Sequence, residues 1–357
     1  EYLKPGADEM AAKAVQTSFE NYQQIEKKLK ALPAVRKILM SSSPYDETTK
    51  GKGNYYPGKS KAMLRVAEFQ EAAARKNNWE FLDFNRPMTA INEEFQKKDT
   101  TFTICGGDRI HPGQDGHMVM AYIFLKNQGF ANKEVADIVV DAQQKKVQRA
   151  GNSTVSNLSV TGTDVQFDYL AKALPYPLDT VARGWGATTR QSEVVDLVPF
   201  TKEFNREVFT VKGLKADKQY LLLIDKDTVG TFSGAQWAEG VNLAEISRTP
   251  QYQQATAVMF LNEERWELER RFRQHAWVEF NILKEHGRLN KDDVTSMALL
   301  QELGKENGWI RGNLDSYSRS RVPAIREAWQ REMEVLVSTI YKINQPANRH
   351  CVIRQLN

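Results

Sequence analysis

Apolar residues recur every three or four positions along several stretches of the first 130 residues. Val15, Phe19, Tyr22, Ile25 and Leu29 share one face of a helix expected over about 7–32, which Pro33 stops. Met63, Val66, Phe69 and Ala73 do the same over about 59–77. Met118, Ala121, Tyr122 and Leu125 do so on a helix ending near Asn127, with Pro112 suited to its first position. A further helix is expected over about 87–98. Between these helices, residues 35–40, 79–84 and 101–105 read as extended. The alternation predicts an α/β arrangement, a parallel sheet with helices on both faces. Ligands of such sheets sit beyond the carboxyl ends of the strands. The polar loop Ser41-Ser42-Ser43-Pro44-Tyr45-Asp46 and the loop after Cys105 both fall at that edge. Only 35–40 and 79–84 read as central strands, and two strands cannot bury both faces and both edges of a parallel sheet. Something further must complete it.

The helical period stops near residue 150. Residues 155–160, 164–170, 207–211 and 220–224 alternate as strands, with turns at Gly213–Asp217 and Asp225–Asp227, which predicts a small antiparallel β domain. A long helix is expected over about 250–286, followed by helices over about 291–306 and 321–344 that make a bundle. On the long helix Val258, Leu261, Trp266, Phe272, Trp277 and Phe280 suggest a broad buried stripe. The run Glu264–Arg273 interleaves acids and bases at i,i+3 and i,i+4, the pattern of an ion-paired helix face and not of a nucleic-acid site. Three domains are expected: 1–150, 151–245 and 246–357.

With 49 basic and 45 acidic residues the net charge is +4, which gives no general pull toward nucleic acid or an anionic membrane. No apolar run has the length of a membrane span. Cys105 and Cys351 fit no metal or redox spacing and read as buried thiols; a disulfide between them has no support in the sequence. Residues 1–6 neither begin with Met nor form a signal peptide, so the chain reads as starting inside a longer protein.

The candidate chemistry lies in Cys105-Gly106-Gly107-Asp108-Arg109-Ile110-His111-Pro112, followed by Gly116-His117. A hydrolytic serine needs a base to take its proton, and the base needs a carboxylate to fix its tautomer. Asp-x-x-His on one tight loop supplies both. The stretch from Gly107 to His117 resembles the last block of the SGNH (GDSL-type) esterases and acylhydrolases, and the order of helices and strands over roughly 1–130 is similar to the second half of that fold. Tyr220–Phe232, Glu239–Ala244 and the helix after Thr249 look like the accessory region of some multidomain relatives.

The resemblance implies a flavodoxin-like three-layer α/β/α fold with Asp108 orienting His111 as general base and then acid. It implies no cofactor and no metal. The implied substrate is a small-molecule or carbohydrate acyl or acetyl ester ahead of a lipid, in a secreted or periplasmic protein. The family's Gly-Asp-Ser block is missing from these residues, so the nucleophile, the oxyanion donors and the first sheet strands are expected upstream. Ser41, Ser42 and Ser43 read as a polar turn and not as nucleophiles; no Gly-x-Ser-x-Gly elbow is present. Tyr45 and Asp46 either line the pocket or serve the turn. His117 caps or packs, His275 and His286 are expected in solvent, and Trp185 is either a sugar platform or a loop anchor. The alternative function is a catalytically incomplete scaffold that binds glycan or protein.

Overall fold

The computed structural model describes residues 7–51, 53, 55–183 and 188–356. The chain forms two compact units. Residues 1–133 and 178–205 make the first, and residues 134–177 and 206–357 the second.

In the first unit α1 (Ala7–Lys30) packs on α2 (Lys59–Lys76), with Phe19 and Tyr22 each 5.3 Å from the Phe69 ring. The strands β1 (Ile38–Met40) and β2 (Glu80–Leu82) pair in parallel, as the sequence predicts. Two strands are what the described residues of this unit contribute, where the resemblance implies a three-layer sheet. Next come α3 (Asn85–Gln96) and α4 (Gln114–Asn127). The return segment adds the short helices α5 (Val194–Leu197) and α6 (Phe200–Phe204). Leu82, Phe84, Met88, Ile104, Val119, Val194 and Phe200 share one core, so the return segment belongs here and not with the β region assigned to 151–245.

The extended piece expected at 101–105 is a chain of turns. Side chains satisfy its backbone where a strand would have done so. Asn92 Oδ1 accepts from Ile104 N at 2.9 Å, Gln96 Nε2 donates to Phe102 O at 2.9 Å, and Thr49 Oγ1 donates to Thr101 O at 3.0 Å.

The second unit begins earlier than residue 150, with the hairpin β3 (Ala136–Asp141) and β4 (Lys146–Gly151). β5 (Ser153–Thr161), β6 (Asp164–Ala171), β7 (Glu207–Lys212), β8 (Gln219–Ile224), β9 (Asp227–Ser233), α7 (Gly234–Glu239) and β10 (Val241–Asn242) follow. One sheet runs β10-β7-β3-β4. The other places the last strand, β11 (Arg349–Gln355), between β6 and β8 in the order β5-β6-β11-β8-β9. Ile138, Val140, Phe167, Phe209, Leu222, Trp237 and Ile353 form a common core. The α/β stretch assigned to 1–150 therefore stops at 133, because β3 buries Ala136, Ile138 and Val140 in this core. The expected all-helical third domain also shares this unit, since β11 returns to the sheet.

The helical region is α8 (Pro250–Val278), α9 (Val294–Glu306), α10 (Gly308–Ser320) and α11 (Pro323–Ile343). Thr249 caps α8 by accepting from Tyr252 N, with Pro250 at the first turn. The predicted ionic face is present: Arg265 and Arg273 each bond Glu269 at 2.8 Å. The predicted buried stripe is present only in part: Val258, Leu261, Phe272 and Trp277 are part-buried, with Trp277 against the helical core and Phe272 against Trp329. Trp266 is 46% exposed beneath the Arg273 guanidinium and Phe280 is 58% exposed, while Ala255, Leu268 and Val278 are the apolar residues the helix buries fully. Among the described residues no helix is long and apolar enough to cross a membrane.

Candidate active site

The Asp108–His111 loop is built from its backbone outward. Gly106 has φ +69°, and a Cβ there would lie 2.1 Å from His111 O, so the closed turn admits only glycine. Arg109 also takes a left-handed conformation, φ +73°, which turns its side chain inward while Asp108 and His111 face outward. The buried guanidinium donates to three carbonyls of the preceding loop: Nη1 to Asp46 O at 3.2 Å and Thr49 O at 2.9 Å, and Nη2 to Gly51 O at 2.9 Å. The Arg109 carbonyl accepts from Asp46 N at 2.8 Å. The two loops at this edge of the unit are thus locked through one arginine.

Asp108 holds His111 in two ways. Its Oδ1 accepts from His111 N at 3.0 Å and from Ile110 N at 3.2 Å, and its Oδ2 lies 2.5 Å from His111 Nδ1. Partial burial pulls the Asp108 carboxyl upward, but the His111 and Ile110 backbone amides and the imidazole outweigh it and hold the pKa below the ordinary value. With Nδ1 donating to that carboxylate, Nε2 carries the lone pair, the tautomer a general base requires. The imidazole side chain is 85% exposed.

Both residues border a cavity of about 710 Å³, whose wall also includes Gly107, Thr103, Gln114, His117, Arg183 and Thr189. This is the volume range of small-molecule sites. Pro112 does not open the next helix; α4 starts at Gln114 behind an extended Gly113. The cap comes from far along the chain, where Thr189 Oγ1 accepts from Gln114 N at 3.1 Å. A Cβ on Gly113 would meet that same oxygen at 2.5 Å. Burial raises the pKa of the nearby Asp115 carboxyl, against the lowering influence of the Thr189 hydroxyl.

Neither Tyr45 nor Asp46 borders this cavity. The Tyr45 hydroxyl accepts from Tyr56 N at 2.8 Å, and Lys59 Nζ lies 4.8 Å from the centre of its ring. Asp46 Oδ1 accepts from Thr48 N and Thr49 N, both at 3.0 Å, which is the turn role. Ser41 is buried; its Oγ donates to Asp83 Oδ1 and accepts from Phe84 N and Asn85 N. Ser43 Oγ donates to Ile110 O at 3.2 Å. These are the structural bonds of a polar turn. Cys105 and Cys351 are free and buried, and burial pushes the Cys105 thiol up to about 12. His286 is exposed, as expected; Trp185 lies outside the described residues. His275 departs from the solvated role: its Nε2 lies 2.9 Å from Asp292 Oδ1, and its ring stacks on Tyr317.

Sequence reasoning missed Arg109 and Thr189. An arginine inside Asp-Arg-Ile-His carried a weak local signal for the first. Thr189 stands 75 residues from its partner and carried none.

The described side chains thus pair an aspartate with an exposed imidazole at the rim of a cavity. Residues 256–345 match the family description "Diltiazem deacetylase C-terminal helical domain". A solved structure described as "BT4096 a gut microbial diltiazem-metabolizing enzyme" is 48% identical, with a TM-score of 0.93, over 100% of this chain and 80% of that one. No curated protein matches the chain. The chain belongs to the diltiazem deacetylase family, whose named chemistry is the hydrolytic removal of an acetyl group.

Proposed function

We propose that the protein is a serine-type ester hydrolase of the SGNH kind that removes acetyl or other short acyl groups from small molecules, decorated carbohydrates included. The observation that carries this reading is the His111 Nδ1 to Asp108 Oδ2 bond of 2.5 Å at the rim of a cavity of small-molecule size. The diltiazem-metabolizing relative supports acetyl-ester chemistry on a small molecule. In the reaction, a serine hydroxyl attacks the acyl carbon as His111 Nε2 takes its proton, and His111 then returns the proton to the departing alkoxide. Water next attacks the acyl-serine, again through His111, releasing the acid and restoring the serine. Asp108 stabilises the imidazolium formed in each half.

The nucleophile in this reading comes from sequence upstream of Glu1, together with the oxyanion donors and the remaining strands of a three-layer sheet. A secreted or periplasmic location goes with the same reading. Labelling the full-length protein with a fluorophosphonate and mapping the modified peptide tests the assignment. The expected label is on a serine outside residues 1–357. A label on Ser41, Ser42 or Ser43 moves the nucleophile into this chain, and no labelling of an active enzyme removes the serine mechanism.

A further inference from the structure

A second cluster of reactive side chains lies in the helical region of the second unit. His275 sits in the last turn of α8, Glu279 follows one turn later, and Asp292 comes from the loop before α9. One ligand atom from each residue falls within 4.8 Å of the others. Glu279 is 2% exposed; its Oε2 accepts from Asn290 N, while its Oε1 is buried without a hydrogen-bond partner. A buried carboxylate oxygen facing a second carboxylate is unfavourable unless a positive charge lies between them.

The surroundings orient these three side chains without filling that role for Glu279. Arg326 Nη1 donates to Asp292 Oδ2 at 2.8 Å and stands 3.3 Å from His275 Nε2. That leaves Asp292 Oδ1 facing inward, where it lies 2.9 Å from His275 Nε2 and accepts from the Tyr317 hydroxyl at 3.1 Å. The His275 ring is held parallel to Tyr317 at 5.7 Å. The backbone takes one wide turn here, with Lys284 N bonded to Glu279 O, the local widening that often accompanies a functional site.

We propose that His275, Glu279 and Asp292 bind a divalent transition-metal ion, with zinc favoured by the donor set of one imidazole and two carboxylates. A proton shared by the two carboxyls would relieve one oxygen pair but make no use of the imidazole fixed beside them. An ion engages all three donors, and Arg326 becomes the outer partner that aims the Asp292 carboxylate. The ion joins the end of α8 to the loop before α9, so its effect is on the stability of the helical region and not on acyl transfer.

The test uses the full chain stripped with a chelator, incubated with zinc sulfate, desalted, and read by atomic emission and thermal unfolding. The expected result is about one zinc per chain and a Tm raised by roughly 5 °C. Both are lost in His275→Ala and in Glu279→Gln, which keeps the side-chain shape. Wild-type protein that retains no stoichiometric zinc and shows no rise in Tm overturns the proposal. So does a Glu279→Gln protein that retains the metal, or one that is more stable than wild type in the absence of metal, which is the signature of a shared proton.

Discussion

The two units hold buried charge in opposite ways. In the first, the buried Arg109 guanidinium is spread over three backbone carbonyls, and that arrangement shapes the loop carrying Asp108 and His111. In the second, the fully buried Glu207 carboxyl sits within the β core, with Oε1 bonded to Tyr169 Oη at 2.6 Å and Gln251 Nε2 at 3.0 Å. The first unit has a small sheet and uses side-chain-to-backbone bonds to set its site. The second has two sheets around a shared hydrocarbon core, so its buried acid bears on stability instead of shaping a surface. A charge that organises loops and an acid that sits within a core should fail differently when removed.

The largest effect is expected from Arg109→Ala. Three carbonyls lose a charged donor, so the first unit should lose roughly 4 kcal/mol of stability. Amide exchange should accelerate at residues 46–51 and 106–111 before it does elsewhere. Unchanged protection there would break the contrast between the units.

Glu207 gives the next effect and a distinct pH signature. Burial, the largest cause, lifts its pKa from the usual 4.5 to about 7 against the lowering influence of Tyr169 and Gln251. The folded chain keeps this proton over a range where the unfolded chain has released it. Stability from this group is therefore full below about 4.5 and declines as pH rises to about 7. The decline is worth about 3 kcal/mol at most. Urea midpoints measured across this window should show the slope in wild type and lose it in Glu207→Gln. A slope that survives the substitution would assign it to another group.

Gly106→Ala tests loop shape alone. A side chain at φ +69° and 2.1 Å from His111 O must displace the His111 backbone. The expected cost is about 1–3 kcal/mol locally, with ester hydrolysis falling on the order of 10-fold or more. Trp266→Gln should do least. The ring is 46% exposed, and a change within about 0.5 kcal/mol is expected by urea unfolding. A loss of several kcal/mol would restore the buried stripe that helical periodicity suggests.

That last case shows where the sequence reaches and where it stops. Helical period and breakers located α1, α2 and α4 to within a few residues, and the parallel pair β1–β2 followed from its apolar runs. Alternation found β5 to β8. It did not yield β11, because Cys351 and Ile353 alternate inward only once the strand lies between β6 and β8, a placement made by distant partners. α10 is started by Asn307, whose side chain accepts from Trp309 N and Ile310 N, although Asn-Gly is more often the mark of a turn. Trp266 and Phe280 fit an apolar stripe that the neighbouring helices leave uncovered. In the site, Asp108 and His111 were legible because their bond closes within four residues. The Thr189 cap and the Arg109 clamp depend on contacts 58 to 75 residues apart, which spacing cannot reveal.

Under the proposed function, the Asp108–His111 pair moves the proton in ester cleavage. The most direct test of that role is kcat/KM for aryl-acetate hydrolysis by the full-length protein and by its His111→Ala variant, with folding of both checked by thermal unfolding. A fall on the order of 10³-fold or more at an unchanged Tm is expected, since the 85%-exposed side chain contributes little to packing. Equal rates in the two proteins would contradict it.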